Sequence, residues 1–93
     1  MEGKKHDTGK PRYNLIPVFS NQELAKVLTF GAEKYGAENW RKVDNAEDRY
    51  LSAAMRHIEA YRMGEITDQE SGLHHLAHAN ACLSFITEVD LNE

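Results

Sequence analysis

The residues Thr67-Asp-Gln-Glu-Ser-Gly-Leu-His-His-Leu-Ala-His-Ala-Asn-Ala-Cys-Leu-Ser-Phe-Ile-Thr-Glu-Val89 decide the fold. Thr67 followed three positions later by Glu70 has the form of a capping box, so a helix is expected to begin near Asp68. No proline interrupts the stretch, and its apolar residues recur at helical spacing for about five turns. Leu73, Leu76, Ala77 and Leu83 form one row; Ala79, Cys82, Phe85, Ile86 and Val89 form another. A helix apolar on two faces is buried on most sides, which makes this the central element.

Two further helices precede it. Ser20 and Glu23 make a second capping box, with Leu24, Val27, Leu28 and Gly31 or Ala32 at helical spacing as far as about Tyr35 and a stop at Gly36. A second amphipathic pattern runs from about Ala46 to Met63 and ends at Gly64, with Leu51, Ala54, Met55 and Ile58 on its packing face. Residues 1–19 lack such periodicity. Gly9, Pro11 and Pro17 keep them extended, and Lys4, Lys5, Lys10 and Arg12 make them basic. The expected fold is all-α: a three-helix subunit with an extended basic N-terminal arm (1–19) and a single α-helical domain (20–93). Three helices cannot easily enclose the central one, so a homo-oligomer is expected to complete the bundle.

Composition narrows the function. The net charge of −4 opposes binding to a nucleic-acid polymer, which needs many uncompensated cations. A single cysteine, Cys82, fits a reducing compartment. No apolar run approaches the roughly 20 residues that span a bilayer, and charges rather than an apolar core follow Met1. A soluble, cytoplasmic protein without a membrane partner is expected.

The polar residues that fall on helix faces suggest a phosphate site. Arg49, Ala53, Arg56 and Ala60 make a stripe in which alanines leave room between two guanidinium groups, and His57 lies beside it. Lys10 and Arg12, within Gly-Lys-Pro-Arg-Tyr at 9–13, either fold over a bound phosphate as a strap or belong to a solvated tail with Tyr13, Leu15 and Ile16 against the core. Tyr35 and Trp40 could stack on a planar base, with Asn39 at its edge; a lone Trp is also a common core anchor. Glu33, Asp68 and Glu70 offer oxygens to a hard cation such as magnesium, Asp68 and Glu70 from the positive end of the last helix. His75 and His78 suit manganese or act as proton carriers. Histidines spaced three apart are also ordinary hydrogen-bonded residues.

Several words of the sequence, in order, resemble the small phage-encoded dATP/dGTP diphosphohydrolase family, distant relatives of the all-α MazG-like nucleotide pyrophosphohydrolases. They are Gly-Lys-Pro-Arg-Tyr at 9–13, Phe-Gly-Ala-Glu-Lys-Tyr-Gly at 30–36, Asn39-Trp40, Arg56-His57, Asp68-Gln-Glu-Ser-Gly-Leu73 and His75-Leu-Ala-His78-Ala. The resemblance implies a helical oligomer that cleaves dGTP or dATP to the monophosphate and pyrophosphate with a divalent metal, Mg or Mn. MazG-like enzymes hold magnesium with Glu-x-x-Glu and Glu-x-x-Asp. Here the second word falls on His75 to His78 and the first near Ala53 to Arg56. The expected ligands are therefore Glu33, Asp68, Glu70 and His75, with Glu70, His75 and His78 catalytic. The expected substrate-binding residues are Lys10, Arg12, Lys34, Tyr35, Asn39, Trp40, Arg49, Arg56 and His57. A non-catalytic oligomer that sequesters cyclic or signalling nucleotides of a host is the alternative, with host cytoplasm as its location.

Overall fold

A computed structural model describes residues 3–92. Its helices are α1 (Val18–Tyr35), α2 (Ala46–Arg62) and α3 (His75–Leu91), with single 3-10 turns at Tyr13–Leu15 and Asn39–Lys42. The expected all-α, three-helix subunit is present. The extended pairing among the described residues is one antiparallel bridge, Thr67 to His74. No helix among them is long and apolar enough to cross a membrane.

The middle helix lies where its periodicity placed it. Glu47 and Asp48 sit in its first turn, where the helix dipole favours acids, and Met63 N–H closes it on the Glu59 carbonyl. Gly64 then takes φ +100°, a conformation that costs a side chain energy and glycine little. The other two starts differ from expectation. α1 begins at Val18, two residues before Ser20, because Pro17 sits in the extended conformation at its N-cap and feeds the chain directly into the helix. No side chain caps it.

The start of α3 differs more. It begins at His75, seven residues after Asp68. The Asp68 side chain does cap backbone N–H groups, those of Glu70 and Ser71 at 3.1 and 2.9 Å, but the structure it closes is a turn. Gly72 at φ +73° then carries the chain out of that turn. His74 caps the helix, its Nδ1 accepting Leu76 N–H at 3.0 Å. Asp68 and Glu70 therefore lie on a loop, away from the helix dipole.

α3 is the central element, as its two apolar rows require. On one side Ala77 and Ala81 pack with Val27 of α1, flanked by Leu24 and Leu73. On the other side Ala79 and Cys82 pack with Ala54 of α2, flanked by Tyr50, Ala53 and Ile58. Small residues on both faces let the helices approach closely. α1 and α2 each pack on α3 and scarcely on each other, which leaves a cleft between them with α3 as its floor. The N-terminal segment from Gly3 to Pro17 is exposed throughout, and Tyr13, Leu15 and Ile16 are 50–78% exposed, not tucked onto the core.

Candidate functional site

The cleft has a volume of about 910 Å³, near the upper end for small-molecule sites. One end is aromatic. The 3-10 turn Asn39–Lys42 carries Trp40 onto Phe85 of α3, with rings 4.7 Å apart and nearly parallel, and Tyr50 of α2 meets the same Phe85 at 5.1 Å. The Arg41 guanidinium lies 4.3 Å from the Trp40 ring centre and is held by Glu38. Trp40 is thus partnered within the chain, as an anchor would be. Tyr35 is 62% exposed at the cleft wall, and it, with Asn39, offers the less committed contacts for a planar base.

The other end is polar. His57 of α2 stacks on His78 of α3 with ring centres 4.6 Å apart. Its Nδ1 lies 2.8 Å from Nδ1 of His75, a residue only 4% exposed. His75 Nε2 in turn meets Glu65 Oε1 at 2.5 Å. His78 Nε2 is 2.7 Å from Ser71 Oγ, and the edge of Phe30 from α1 approaches the His78 ring. Lys34 of α1 reaches across to Glu70 on the loop at 2.5 Å.

The surroundings set the charges. Burial lowers the pKa of His57, and the positive forms of His78 and His75 lower it further against the pull of Asp68. Burial likewise lowers His78. Both rings are therefore neutral near pH 7 and present lone pairs. Burial pushes Asp68 up, but bonds from Ser71 and the neighbouring imidazoles outweigh it and hold the carboxyl below its usual range. The Glu70 hydrogen bond leads the causes that raise Lys34. Burial raises the Cys82 thiol, which keeps it protonated.

Of the residues expected to bind substrate, Lys34, Tyr35, Asn39, Trp40, Arg56 and His57 line this cleft. Asp68, Glu70 and His78 line it too. His75 lies behind the surface, buried against His57. Arg49 is on an exposed face of α2 outside the cleft, and Lys10 and Arg12 lie in the exposed N-terminal segment, none of which lines it. Glu33 borders a separate shallow groove with Gln22 and Leu73, so the structure does not gather it with Asp68 and Glu70. Glu65 and Ser71 were absent from the expected set. Glu65 follows the α2 stop at Gly64, a position that reads as solvated linker.

A set of three donors, His57, Asp68 and His75, offers ligand atoms all within 4.8 Å of one another. Two imidazoles and one carboxylate suit manganese, zinc or another transition dication better than an all-oxygen magnesium cage. The donor set therefore fits a divalent metal; it shares Asp68 and His75 with the expected ligands and has His57 in place of Glu33 and Glu70.

The all-α subunit with an aromatic-to-imidazole cleft defines a small helical protein with a candidate small-molecule site, and comparison with known proteins gives the family. The model of the family described as "dATP/dGTP diphosphohydrolase, N-terminal" matches residues 1–93, and the chain belongs to that family. It is 41% identical over 86 residues to a protein of Salmonella phage PMBT28 named dATP/dGTP diphosphohydrolase, covering 92% of this chain and 29% of the relative. The chain thus spans less than a third of that relative's length. No solved structure matches it.

Proposed function

We propose that this chain provides the nucleotide site of a pyrophosphohydrolase that cleaves dGTP or dATP to the monophosphate and pyrophosphate. The observation that carries the reading is the polarity of the cleft. A base and sugar fit its Tyr35, Asn39 and Trp40 end, and phosphates fit its Lys34, Arg56 and imidazole end. The name of the phage relative supports the same substrate class. Lys34 and Arg56 hold phosphate oxygens, the guanidinium in a two-pronged contact. A divalent metal, when bound, supplies positive charge to the phosphates and lowers the pKa of water.

In the hydrolysis, water oxygen bonds to the α-phosphorus while the bond to the α–β bridging oxygen breaks. Pyrophosphate leaves, and one proton is released from the water. In this reading His78 takes that proton, supported by its position on the cleft, its pKa lowered by burial and its contact with Ser71. His75, held by Glu65, orients His57 from behind.

A homo-oligomer is part of the proposal. The radius of gyration is 16.3 Å, against about 12 Å for a compact chain of this length. Val18 and Phe19 on α1 are 77% and 81% exposed, which favours burial against a second subunit. The proposal includes a cytoplasmic location, which a single cysteine favours, and no nucleic-acid polymer partner, which the acidic net charge favours.

A second reading, nucleotide binding without cleavage, is favoured by one observation: the match covers only 29% of its longer relative. One assay separates the two. The protein is incubated with dGTP or dATP and Mg²⁺ or Mn²⁺, and products are resolved by ion exchange. Monophosphate plus pyrophosphate, lost in His78→Ala, supports hydrolysis. Bound nucleotide recovered intact, with a complex that Arg56→Ala weakens, supports sequestration and overturns hydrolysis by this chain.

A further inference from the structure

The chain brings together three donors that no run of its sequence places side by side. His57 comes from the middle of α2, His75 from the first residue of α3, and Asp68 from the loop between them. We propose that His57, His75 and Asp68 form a binding site for one transition-metal dication, with Glu65 as the outer carboxylate that fixes His75. The proposal deepens the hydrolase reading by naming its cation class and ligands, although the site itself rests only on geometry.

Three observations carry it. First, the Nδ1 atoms of His57 and His75 face each other at 2.8 Å. Two nitrogens about 2.1 Å from one ion lie about 3.0 Å apart at right angles and about 3.4 Å apart at the tetrahedral angle. A shift of a few tenths of an ångström therefore turns the facing pair into two ligands. Second, His75 is 4% exposed and its far nitrogen is bonded to Glu65. With Nε2–H donated to the Glu65 carboxylate, Nδ1 is the His75 ring nitrogen left to face His57. That carboxylate–histidine arrangement orients the ring and raises the basicity of metal-binding imidazoles. Third, Asp68 is rigidly presented, its Oδ2 accepting two backbone N–H groups, and it adds the negative charge that a dication requires. Three protein ligands leave coordination positions on the cleft side, where Asp68 already borders the polar end.

The donor types set selectivity. Imidazole nitrogen favours Mn²⁺, Co²⁺, Ni²⁺ and Zn²⁺ over Mg²⁺, which prefers oxygen and keeps its waters. His78 stays outside the ligand set because its Nε2 is engaged by Ser71 and its ring stacks on His57.

The test uses chelator-stripped protein without nucleotide, so its outcome is independent of any hydrolase assay. Co²⁺ is titrated and followed by visible absorption, with Mn²⁺ and Mg²⁺ compared by calorimetry. The expected result is one equivalent of Co²⁺, and Mg²⁺ at least tenfold weaker than Mn²⁺. His57→Gln should abolish the Co²⁺ spectrum, and Glu65→Gln should retain it with affinity reduced about 10- to 100-fold. Because buried His75 is a risk to folding when replaced, Asp68→Asn, which keeps an oxygen for the turn, provides the second ligand variant and should weaken Co²⁺ at least tenfold. His6→Ala, in the exposed N-terminal segment, should change nothing. No stoichiometric binding, binding untouched in folded His57→Gln, or equal affinity for Mg²⁺ and Mn²⁺ overturns the proposal.

Discussion

Truncating Phe85 tests how the aromatic end of the cleft is held. Phe85 projects from α3, stacks on Trp40 at 4.7 Å and meets Tyr50 at 5.1 Å, so it ties both the 3-10 turn and α2 to the central helix. A fully buried Phe→Ala change costs about 3–5 kcal/mol. Phe85 is only partly buried, so about half of that applies, roughly 2 kcal/mol, of which each lost ring pair accounts for about 0.5–1.5 kcal/mol. For a domain of this size that corresponds to a fall in Tm of about 8–16 °C. The chain has one tryptophan, so its fluorescence reports on Trp40 alone. In Phe85→Ala the emission should shift to longer wavelength under native conditions as the indole enters water, and dGTP affinity should fall as Asn39 moves away. Phe85→Leu restores bulk without stacking and should recover most of the stability but less of the emission. A Tm within 2 °C of wild type, with unshifted Trp40 emission in Phe85→Ala, would refute the reasoning.

Three more outcomes are expected. Since His57 and His78 have lowered pKa values in the folded chain, the unfolded state takes up protons first as pH falls below the ordinary value of 6.5. His57 faces His75, His78, Asp68 and Arg56, and His78 faces His75, Asp68 and Glu70. Stability of the metal-free protein should be full above about pH 6.5 and decline as pH falls toward the lower folded values, a slope that urea titrations at pH 5 and pH 7.5 measure and that His57→Gln should reduce. Lys34→Ala breaks an exposed ion pair with Glu70 and should change Tm by only a few degrees, because water screens such pairs. Its dGTP Kd, measured by calorimetry, should nevertheless rise severalfold or more. Gly72→Ala places a side chain at φ +73° and should cost about 1–2 kcal/mol in chemical denaturation, although nothing lies within 4 Å of the added carbon.

The parts of this chain legible in its sequence were those fixed by periodicity. α2 was expected from Ala46 to Met63 and runs Ala46–Arg62, because an amphipathic face and a glycine stop act locally. The two apolar rows of the last helix correctly announced packing on two sides. Helix starts were less legible, and for one physical reason. Ser, Thr and Asp accept backbone N–H groups in turns as readily as at helix ends, so Thr67 to Glu70 reads alike in either setting. At Ser20 the neighbouring proline decided the matter instead. Among the residues expected to serve a site, Lys34, Asn39, Arg56 and His78 line the cleft. Glu65 was not among those expected, since its bond to His75 exists only once the loop has doubled back. Arg49 shares a helical stripe with Arg56 but is exposed and does not line the cleft, whose wall at that level of α2 is formed by Tyr50.

The late start of α3 is what makes the metal proposal geometrically possible. Had the helix begun at Asp68, Asp68 and His75 would lie on one face but about 10 Å apart along the axis, too far to share an ion. Unwinding those seven residues into a loop lets Gly72 reverse the chain and the Thr67–His74 bridge bring its two ends together. Asp68 then reaches within 4.8 Å of the two imidazoles, and the start of the same loop places Glu65 against the far nitrogen of His75. The Lys34–Glu70 pair ties the loop to α1 across the cleft, so an anionic ligand that draws Lys34 away also loosens the segment carrying Asp68. In the proposed function, ligand and cation would therefore be coupled through one short loop.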